Sequence, residues 1–288
     1  MQVGRWQART LEMGRFRLDG GAMFGVVPRV IWEREAPPDA LGRIQLGLRC
    51  LLLQDGKHTV LVDCGVGGKD NPAFREMFAV EDQGEGVVER LAELGLEPGD
   101  VTDLLLTHLH FDHAGGAVSL DEAGRGVPTF PHAVIHLQRR QWDWAWAPSL
   151  RDRASYLKEN LEPLKAARLN LLDGDAELLP GLSVRVVNGH TPGMQVAEVD
   201  GEGEPAGPGS PGLVYCADLV PTAAHLPPAW VMGYDLHPLT VVEEKQALYR
   251  RLGDGSAWLV FEHDPVLAAA RIDATGKRPV MIETRESL

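Results

Sequence analysis

Three histidines and one aspartate lie within the six residues 108–113, in the pattern H-x-H-x-D-H. The pattern follows the apolar run Leu104–Leu106 and precedes two glycines, which predicts a buried strand that ends in a glycine-rich turn. His108 and His110 would point to the same side of an extended chain, because side chains alternate between the two faces of a strand. Imidazole and carboxylate groups are ligands for zinc, manganese or iron. The pattern therefore predicts a metal site at the end of a strand, with surface histidines or core histidines bonded to the backbone as the alternative.

Three later segments place further histidine and aspartate residues directly after apolar runs. His190 follows the run Leu182–Val187 in a turn with glycine and proline, Asp218 follows the next apolar run, and His263 follows the run that begins at Trp258. Each is weak evidence alone, because a single polar residue after a strand is usually a cap or a surface residue. Together with the first motif they predict five histidines and two aspartates at the rim of a layered sheet.

Strand-like and helix-like segments alternate along the chain, which is typical of an α/β layered fold. A helix is predicted over 87–94 with Gly95 as its C-cap, and a capping box at 240–243 opens another helix. The glycine- and proline-rich stretch 201–211 predicts a surface loop or hairpin, and 275–277 predicts a hairpin turn. The strand-like runs are Leu46–Gln54, Thr59–Asp63, Leu104–Thr107, Ala133–Gln138, Leu182–Val187, Leu213–Ala217 and Trp258–Phe261.

Length, net charge and cysteine content limit the domain number, the partners and the cellular location that we expect. A length of 288 residues suits one domain, 1–288, with two pseudo-halves of about 1–180 and 181–288. The net charge of −13 disfavours nucleic acids and anionic membranes as partners. Neither a long apolar span nor a signal-peptide pattern is found, so we expect a cytoplasmic protein. The cysteines fit neither a disulfide framework nor a Cys-x-x-Cys zinc site, and buried thiols are expected at Cys50, Cys64 and Cys216.

The order of these residues resembles that of the metallo-β-lactamase-fold hydrolases. In that superfamily H-x-H-x-D-H is followed by a further histidine, an aspartate and a final histidine, and the same order runs through nearly this whole chain. Residues 62–65, Val-Asp-Cys-Gly, are similar to the D-x-G turn that supports the metal site of the family. The resemblance implies a four-layer αββα sandwich with two divalent metal ions at one edge. Zinc is the first expectation, with manganese, iron or cobalt as alternatives.

The resemblance also assigns roles to the seven polar residues. A water shared by the two ions would ionise near neutral pH, and the resulting metal-bridging hydroxide would attack an ester, a lactone or a phosphotriester. Asp112 and Asp218 are therefore the expected catalytic residues, and Asp63 would orient a ligand imidazole. The implied ligands are His108, His110 and His190 for the first ion and Asp112, His113 and His263 for the second, with Asp218 bridging both.

Four segments of the chain are similar to the N-acyl homoserine lactonase and organophosphate hydrolase branch: Asp19–Pro28, Val30–Trp32, Asp218–His225 and Tyr234–Pro238. In that branch an apolar N-terminal loop helps to wall the pocket and can contact a second subunit. We therefore expect a small-molecule substrate with an apolar portion, and a homodimer is compatible with the resemblance. If the loop walls the pocket, Phe24→Ala should penalise long acyl chains more than short ones; core packing is the equal alternative.

One position departs from the acyl homoserine lactonases. Pro221 occupies the place where they carry a tyrosine that touches the lactone carbonyl. Three tyrosines are candidates to replace it, and two histidines are further candidates for the pocket. They are Tyr156, Tyr215, Tyr234, His225 and His237.

Other functions share the H-x-H-x-D-H core. Glyoxalase II-like thioester hydrolases and mononuclear iron persulfide dioxygenases remain alternatives, although they need cations for glutathione and Arg250 and Arg251 lie on a predicted helix surface. His110 stands where flavodiiron oxygen reductases carry glutamate, and the net charge is unfavourable for nucleases of the ribonuclease Z type. A metal-binding protein with little activity is a third alternative. The expected function is a dinuclear metal-dependent hydrolase that resembles lactonases and esterases.

Overall fold

The computed structural model describes residues 1–69, 72–81, 86–201, 211–252 and 254–288. In chain order, the strands are β1 (Gln2–Val3), β2 (Trp6–Asp19), β3 (Arg43–Gln54), β4 (Thr59–Val62), β5 (Asp103–Leu105), β6 (Val118–Leu120), β7 (Gly126–Pro128), β8 (Val134–Gln138), β9 (Arg168–Leu172), β10 (Ala176–Leu179), β11 (Leu182–Val187), β12 (Met194–Asp200), β13 (Pro211–Tyr215), β14 (Asp254–Val260), β15 (Ala269–Asp273) and β16 (Val280–Arg285). The α-helices are α1 (Gly20–Phe24), α2 (Arg29–Trp32), α3 (Pro72–Met77), α4 (Val87–Glu93), α5 (Phe111–Ala114), α6 (Arg139–Trp146), α7 (Lys158–Leu161) and α8 (Pro238–Leu252).

These strands form two seven-stranded sheets and one small hairpin, β6–β7. The first sheet has the order β1-β2-β3-β4-β5-β8-β9, and its last four strands run parallel. The second sheet follows chain order from β10 to β16 and is antiparallel except for the pair β13 and β14. Parallel neighbouring strands end at the same edge of a sheet. The loops that follow β4 and β5 therefore lie side by side at one edge of the first sheet, and those that follow β13 and β14 lie side by side at one edge of the second.

The core shows how the layers are stacked. Successive residues of β3 face opposite sides: Leu51 and Leu53 pack in the apolar cluster shared with the second sheet, whereas Cys50 and Leu52 pack in a second cluster with α4 and α6. Helix α8 contributes Val241 and other residues to the cluster of the second sheet. Helices thus cover the outer faces of two packed sheets, which confirms the predicted αββα sandwich.

Most of the predicted elements are present. The run 182–187 is a strand with the predicted bounds, and the other predicted strands differ by a few residues at their ends. The hairpin turn at 275–277 joins the antiparallel strands β15 and β16, and all three cysteines are buried thiols. Helix α8 begins at Pro238 and not at the predicted capping box, because proline suits the first turn of a helix. Of the predicted loop 201–211, residues 202–210 lie outside the described residues.

Within the ranges given above, no helix is long and apolar enough to cross a membrane.

Candidate metal centre

All seven residues predicted to hold metal ions are buried and converge at the rim where strands of both sheets end. His108 and His110 lie between β5 and α5, and the one turn of α5 carries Asp112 and His113. The second sheet supplies the rest: His190 from the loop after β11, Asp218 from a 3₁₀ turn after β13 and His263 from the loop after β14.

The first group of possible ligands comprises His108, His110, His190 and Asp218, whose ligand atoms lie within 4.8 Å of one another. His110 turns its Nδ1 toward the group, 3.0 Å from Nε2 of His108 and 3.2 Å from Nε2 of His190. The Oδ2 atom of Asp218 lies 3.1 Å from Nε2 of His190. Three imidazole nitrogens and one carboxylate oxygen therefore face a common point.

The second group comprises Asp112, His113 and His263. The Nε2 atoms of His113 and His263 are 3.2 Å apart, and Oδ2 of Asp112 lies 3.7 Å from Nε2 of His263. Asp218 reaches this group as well, because its Oδ1 lies 3.3 Å from His263 Nε2 and its Oδ2 3.5 Å from His113 Nε2. The carboxylate of Asp218 thus stands between the two groups and contacts both.

Hydrogen bonds behind the imidazoles decide which ring nitrogen carries the proton. In three of the rings Nδ1 faces an oxygen that can only accept, so Nδ1 is the protonated nitrogen and Nε2 presents a lone pair to the site. The three pairs are His113 with Asp63 Oδ2 at 3.0 Å, His190 with Asp235 Oδ1 at 2.9 Å and His263 with the Gly47 carbonyl at 2.9 Å. The backbone N–H and the hydroxyl of Thr107 donate to Asp63 in turn.

This donor arrangement fits metal ions. The Nε2 atoms of His113 and His263 face each other beside the carboxylate of Asp218, whose buried Oδ1 has no hydrogen-bond partner within the described part of the chain. Burial lowers the pKa of His263, but Asp218 outweighs burial and raises that pKa to about 9. Burial is outweighed at His190 as well, where Asp218 and Asp235 raise the pKa to about 10. The site therefore demands positive charge, which divalent cations at these nitrogens would supply.

The backbone around the site is tightly packed and locally strained. A Cβ atom at Gly115 would lie 1.8 Å from the carbonyl oxygen of Val66, so only glycine allows the turn after the motif to approach this loop. Two residues beside the site adopt the left-handed region: Asp63 with φ 56° and Ala217 with φ 44°. Strain of this kind costs about 1–3 kcal/mol per residue and persists where the surrounding structure enforces it.

A cavity of about 420 Å³ opens beside the two groups. Its floor includes His110, Asp112, His190, Asp218 and His263, and polar side chains line it at Arg151, Asp152 and Ser155. Its walls are largely apolar, formed by Leu18, Met23, Phe78, Phe111, Met232 and the ring of Tyr234. The volume lies in the range of small-molecule sites.

Only some of the residues predicted to line the pocket do so in the described part of the chain. Of the apolar stretch 23–32, Met23 lines the cavity, but Phe24 lies in the core and stacks on the buried ring of His225 with centroids 4.7 Å apart. Of the two alternatives for Phe24, pocket wall and core packing, the structure therefore supports core packing. His225 and His237 do not line the cavity; the first is buried and the second is exposed at the start of α8.

Among the three tyrosines, only one is placed to meet a substrate. Tyr215 donates to the Arg49 carbonyl in the core, and the buried hydroxyl of Tyr156 pairs with Thr191 at 2.8 Å. Tyr234 lines the cavity and is 38% exposed. Burial raises its pKa to about 12, so its phenol keeps its proton at neutral pH.

The sequence did not predict two contacts to the imidazoles of this site, those made by Asp235 and Glu262. Asp235 pairs with His190 from 45 residues away, and Glu262 brings Oε2 within 2.9 Å of His113 Nδ1, beside Asp63. Burial raises the pKa of Glu262 to about 7; the carboxylate of Asp63 acts in the same direction, and the imidazole of His113 opposes it. No fixed spacing connects these residues with the motif; the only signal was their position beside residues already identified.

Comparisons with known proteins agree with this geometry. The model of the metallo-beta-lactamase superfamily matches residues 48–263. The N-acyl homoserine lactonase AiiA of Bacillus thuringiensis subsp. kurstaki is 29% identical over 168 residues, which cover 55% of this chain and 60% of that protein. AttM, an N-acyl homoserine lactonase of Rhizobium radiobacter, is 27% identical over 193 residues, which cover 65% of this chain and 67% of AttM. The match to AiiA thus spans only about 60% of the length of that relative.

A solved structure extends the similarity to the whole chain. The crystal structure of a probable metal-dependent hydrolase from Staphylococcus aureus superposes with a TM-score of 0.88 at 30% identity, and the match covers 100% of both chains. Together with the family match over 48–263, the αββα layers and the convergence of the motif residues, this result establishes the family. The chain belongs to the metallo-β-lactamase superfamily.

Proposed function

We propose that this protein is a dinuclear metal-dependent hydrolase that cleaves a lactone, or a related ester or phosphotriester, with an apolar portion. The observation that carries the proposal is the position of Asp218 between two groups of ligands at the floor of an apolar cavity. The similarity to N-acyl homoserine lactonases favours a lactone among these substrates.

The first ion would be held by His108, His110 and His190, and the second by Asp112, His113 and His263, with Asp218 shared by both. When bound, the two ions would supply a nucleophilic water at neutral pH and polarise the oxygen of the scissile carbonyl or phosphoryl group. Zinc suits this set of nitrogen and carboxylate donors, and manganese, iron and cobalt share the preference.

The side chains that line the cavity would bind the substrate, stabilise its oxygen and transfer protons. Met23, Phe111 and Met232 would hold the apolar portion of the substrate. The phenol of Tyr234 remains protonated below a pKa of about 12 and can donate a hydrogen bond to a substrate oxygen, the task that Pro221 cannot perform. Asp112 lines the same cavity and can take the proton released by the attacking water and return it to the leaving oxygen.

The cavity is less suited to the glutathione substrates of the alternative functions. Among the described residues that line it, Arg151 is the one lysine or arginine, and its guanidinium already donates to the carbonyl of Gly233. Glutathione carries two carboxylates that would need cationic partners. This observation favours a neutral or weakly charged substrate over a glutathione thioester or persulfide.

Metal analysis combined with a substrate panel tests the proposal. We expect about two divalent ions per chain and hydrolysis of N-hexanoyl-homoserine lactone, with an aryl ester and a phosphotriester as further substrates and S-lactoylglutathione as the counter-substrate. The variant Asp218→Asn serves as the inactive control. One iron per chain with oxygen consumption on glutathione persulfide would instead establish the dioxygenase. Turnover confined to S-lactoylglutathione would establish the thioester hydrolase.

A further inference from the structure

We propose that Asp235 is a positioning residue that joins the pocket wall to the metal-binding face of His190. Its carboxylate is 2% exposed and accepts two hydrogen bonds from different parts of the site. Oδ1 lies 2.9 Å from Nδ1 of His190, and Oδ2 lies 2.8 Å from the backbone nitrogen of Met232. The inference rests on the proposed function in one respect, namely that His190 is a metal ligand.

The residues between these two contacts are those that line the cavity. Met232, Gly233 and Tyr234 all belong to the cavity wall, and Asp235 closes this short loop on itself through the Met232 amide. Two backbone hydrogen bonds continue the contact with the histidine loop, from the Leu236 amide to the His190 carbonyl at 3.1 Å and from the His237 amide to the Gly189 carbonyl at 2.8 Å. A displacement of the cavity wall would therefore move the imidazole of His190, and a displacement of that imidazole would move the wall.

Both hydrogen-bond partners of Asp235 are donors, and this fact makes the carboxylate irreplaceable by an amide. A carboxylate accepts only, so it holds the proton of His190 on Nδ1 and leaves the Nε2 lone pair directed at His110 and Asp218. An asparagine has one accepting oxygen and one donating nitrogen. If its oxygen serves the Met232 amide, its NH₂ group faces Nδ1 and shifts the imidazole proton to Nε2, where it blocks metal binding. In the other orientation the NH₂ group meets the Met232 N–H and the wall loses its anchor.

A neighbouring carboxylate provides a matched control. Glu244, on α8, also accepts two hydrogen bonds at this loop, from the amides of Asn188 at 2.6 Å and Gly189 at 3.1 Å. It contacts the backbone that leads to His190, and within the described ranges it accepts a hydrogen bond from no imidazole. Glu244→Gln therefore weakens one backbone contact of the same loop and leaves both partners of Asp235 in place.

The test compares metal binding in Asp235→Asn and Glu244→Gln. Metal-free protein would be titrated with Zn²⁺ against a chromophoric chelator, and Co²⁺ absorption would follow the two sites separately. We expect Asp235→Asn to weaken the binding of one of two ions by about 10–100-fold and to raise the KM of the lactone, with the second ion unaffected. Glu244→Gln should keep wild-type affinity for both ions, and unfolding of both metal-free variants should resemble that of the wild type.

Three results would overturn the inference. The first is wild-type metal affinity and KM in Asp235→Asn, and the second is an equal loss of affinity in both variants. The third is available on the wild type alone: in the metal-loaded protein, a long-range ¹H–¹⁵N spectrum should show His190 protonated at Nδ1, and a proton on Nε2 contradicts the role of Asp235. If the wild-type protein binds no ion in the same titration, both the proposed function and this inference are wrong.

Discussion

Replacing Phe24 with alanine should destabilise the fold by several kcal/mol and leave substrate selection unchanged. The side chain is 1% exposed and its ring is packed by three others. It stacks on His225 and on Trp32 at 4.7 and 5.4 Å between centroids, and the edge of Trp230 meets it at 5.7 Å. Truncation of a buried phenylalanine costs about 3–5 kcal/mol, and aromatic pairs add about 0.5–1.5 kcal/mol each beyond burial. We therefore expect a loss in the upper half of the first range, about 4–5 kcal/mol.

Urea denaturation measures this loss directly. For a slope of about 2–3 kcal/mol/M, a loss of about 4 kcal/mol moves the unfolding midpoint by more than about 1 M. The ratio of kcat/KM for long and short acyl chains should remain that of the wild type, because Phe24 does not line the cavity. Metal content should also be unchanged.

The neighbouring residue is the matched control. Met23 is equally buried, at 1% exposure, but it lines the cavity. Met23→Ala should lower the ratio of kcat/KM for long over short chains, by about four-fold for each methylene that Met23 covers, since one methylene is worth about 0.8 kcal/mol. If Phe24→Ala lowers the ratio as much as Met23→Ala and keeps the stability of the wild type, Phe24 walls the pocket and the assignment to the core is wrong.

Three further predictions address the metals, the shared carboxylate and a buried lysine. Removal of divalent ions by a chelator should abolish hydrolysis and lower Tm, and added zinc, manganese or cobalt should restore both; full activity in metal-free protein contradicts the mechanism. Asp218→Asn should fold but lose bound metal and turnover, because an amide cannot bridge two cations, and two bound ions with normal kcat would refute the bridging role. Lys245 donates to the carbonyls of His225 and Trp230, and burial, opposed in part by Asp235, lowers its pKa to about 8. Since the unfolded chain then binds more protons between pH 8 and 10.5, the free energy of unfolding relative to Lys245→Met should rise with pH across that window by up to about 3 kcal/mol. Urea unfolding of both proteins at pH 7.5 and 9.5 measures this difference, and a constant difference refutes it.

The metal-ligand candidates could be predicted from the sequence because each lies immediately after an apolar strand. Residues such as His108 and His263 are fixed in space by where strands β5 and β14 end, so the order of strands along the chain is enough to place them at one rim. The alternation of strands and helices predicted an α/β layered fold, whereas the four-layer αββα sandwich was implied by the resemblance to the family. Predictions of zinc, of a homodimer, of a single domain and of a cytoplasmic location stay predictions.

The remaining features depend on the direction in which side chains point and on contacts between residues far apart in the chain. Local sequence patterns encode neither. Met23 and Phe24 are adjacent apolar residues in the short helix α1, yet one faces the cavity and the other the core. Strand β2 was not predicted, because an irregularity in its pairing between Glu12 and Arg15, near Gly14 with φ 123°, interrupts the alternation of apolar residues. The pair His190–Asp235 exists only because two loops of the second half lie side by side.

The origin of the ligands has a consequence for stability. His108, His110, Asp112 and His113 follow a strand of the first sheet, whereas the other three ligands follow strands of the second, so each bound ion would connect the two halves of the sandwich. An ion that binds only the folded chain stabilises it by about 4 kcal/mol at a concentration 1,000 times its Kd. This gain is comparable with the strain of about 1–3 kcal/mol expected at each of Asp63 and Ala217, which hold the rim in the left-handed region. Metal binding would thus offset the conformational cost of building its own site, and the unfolding transition should depend steeply on free metal.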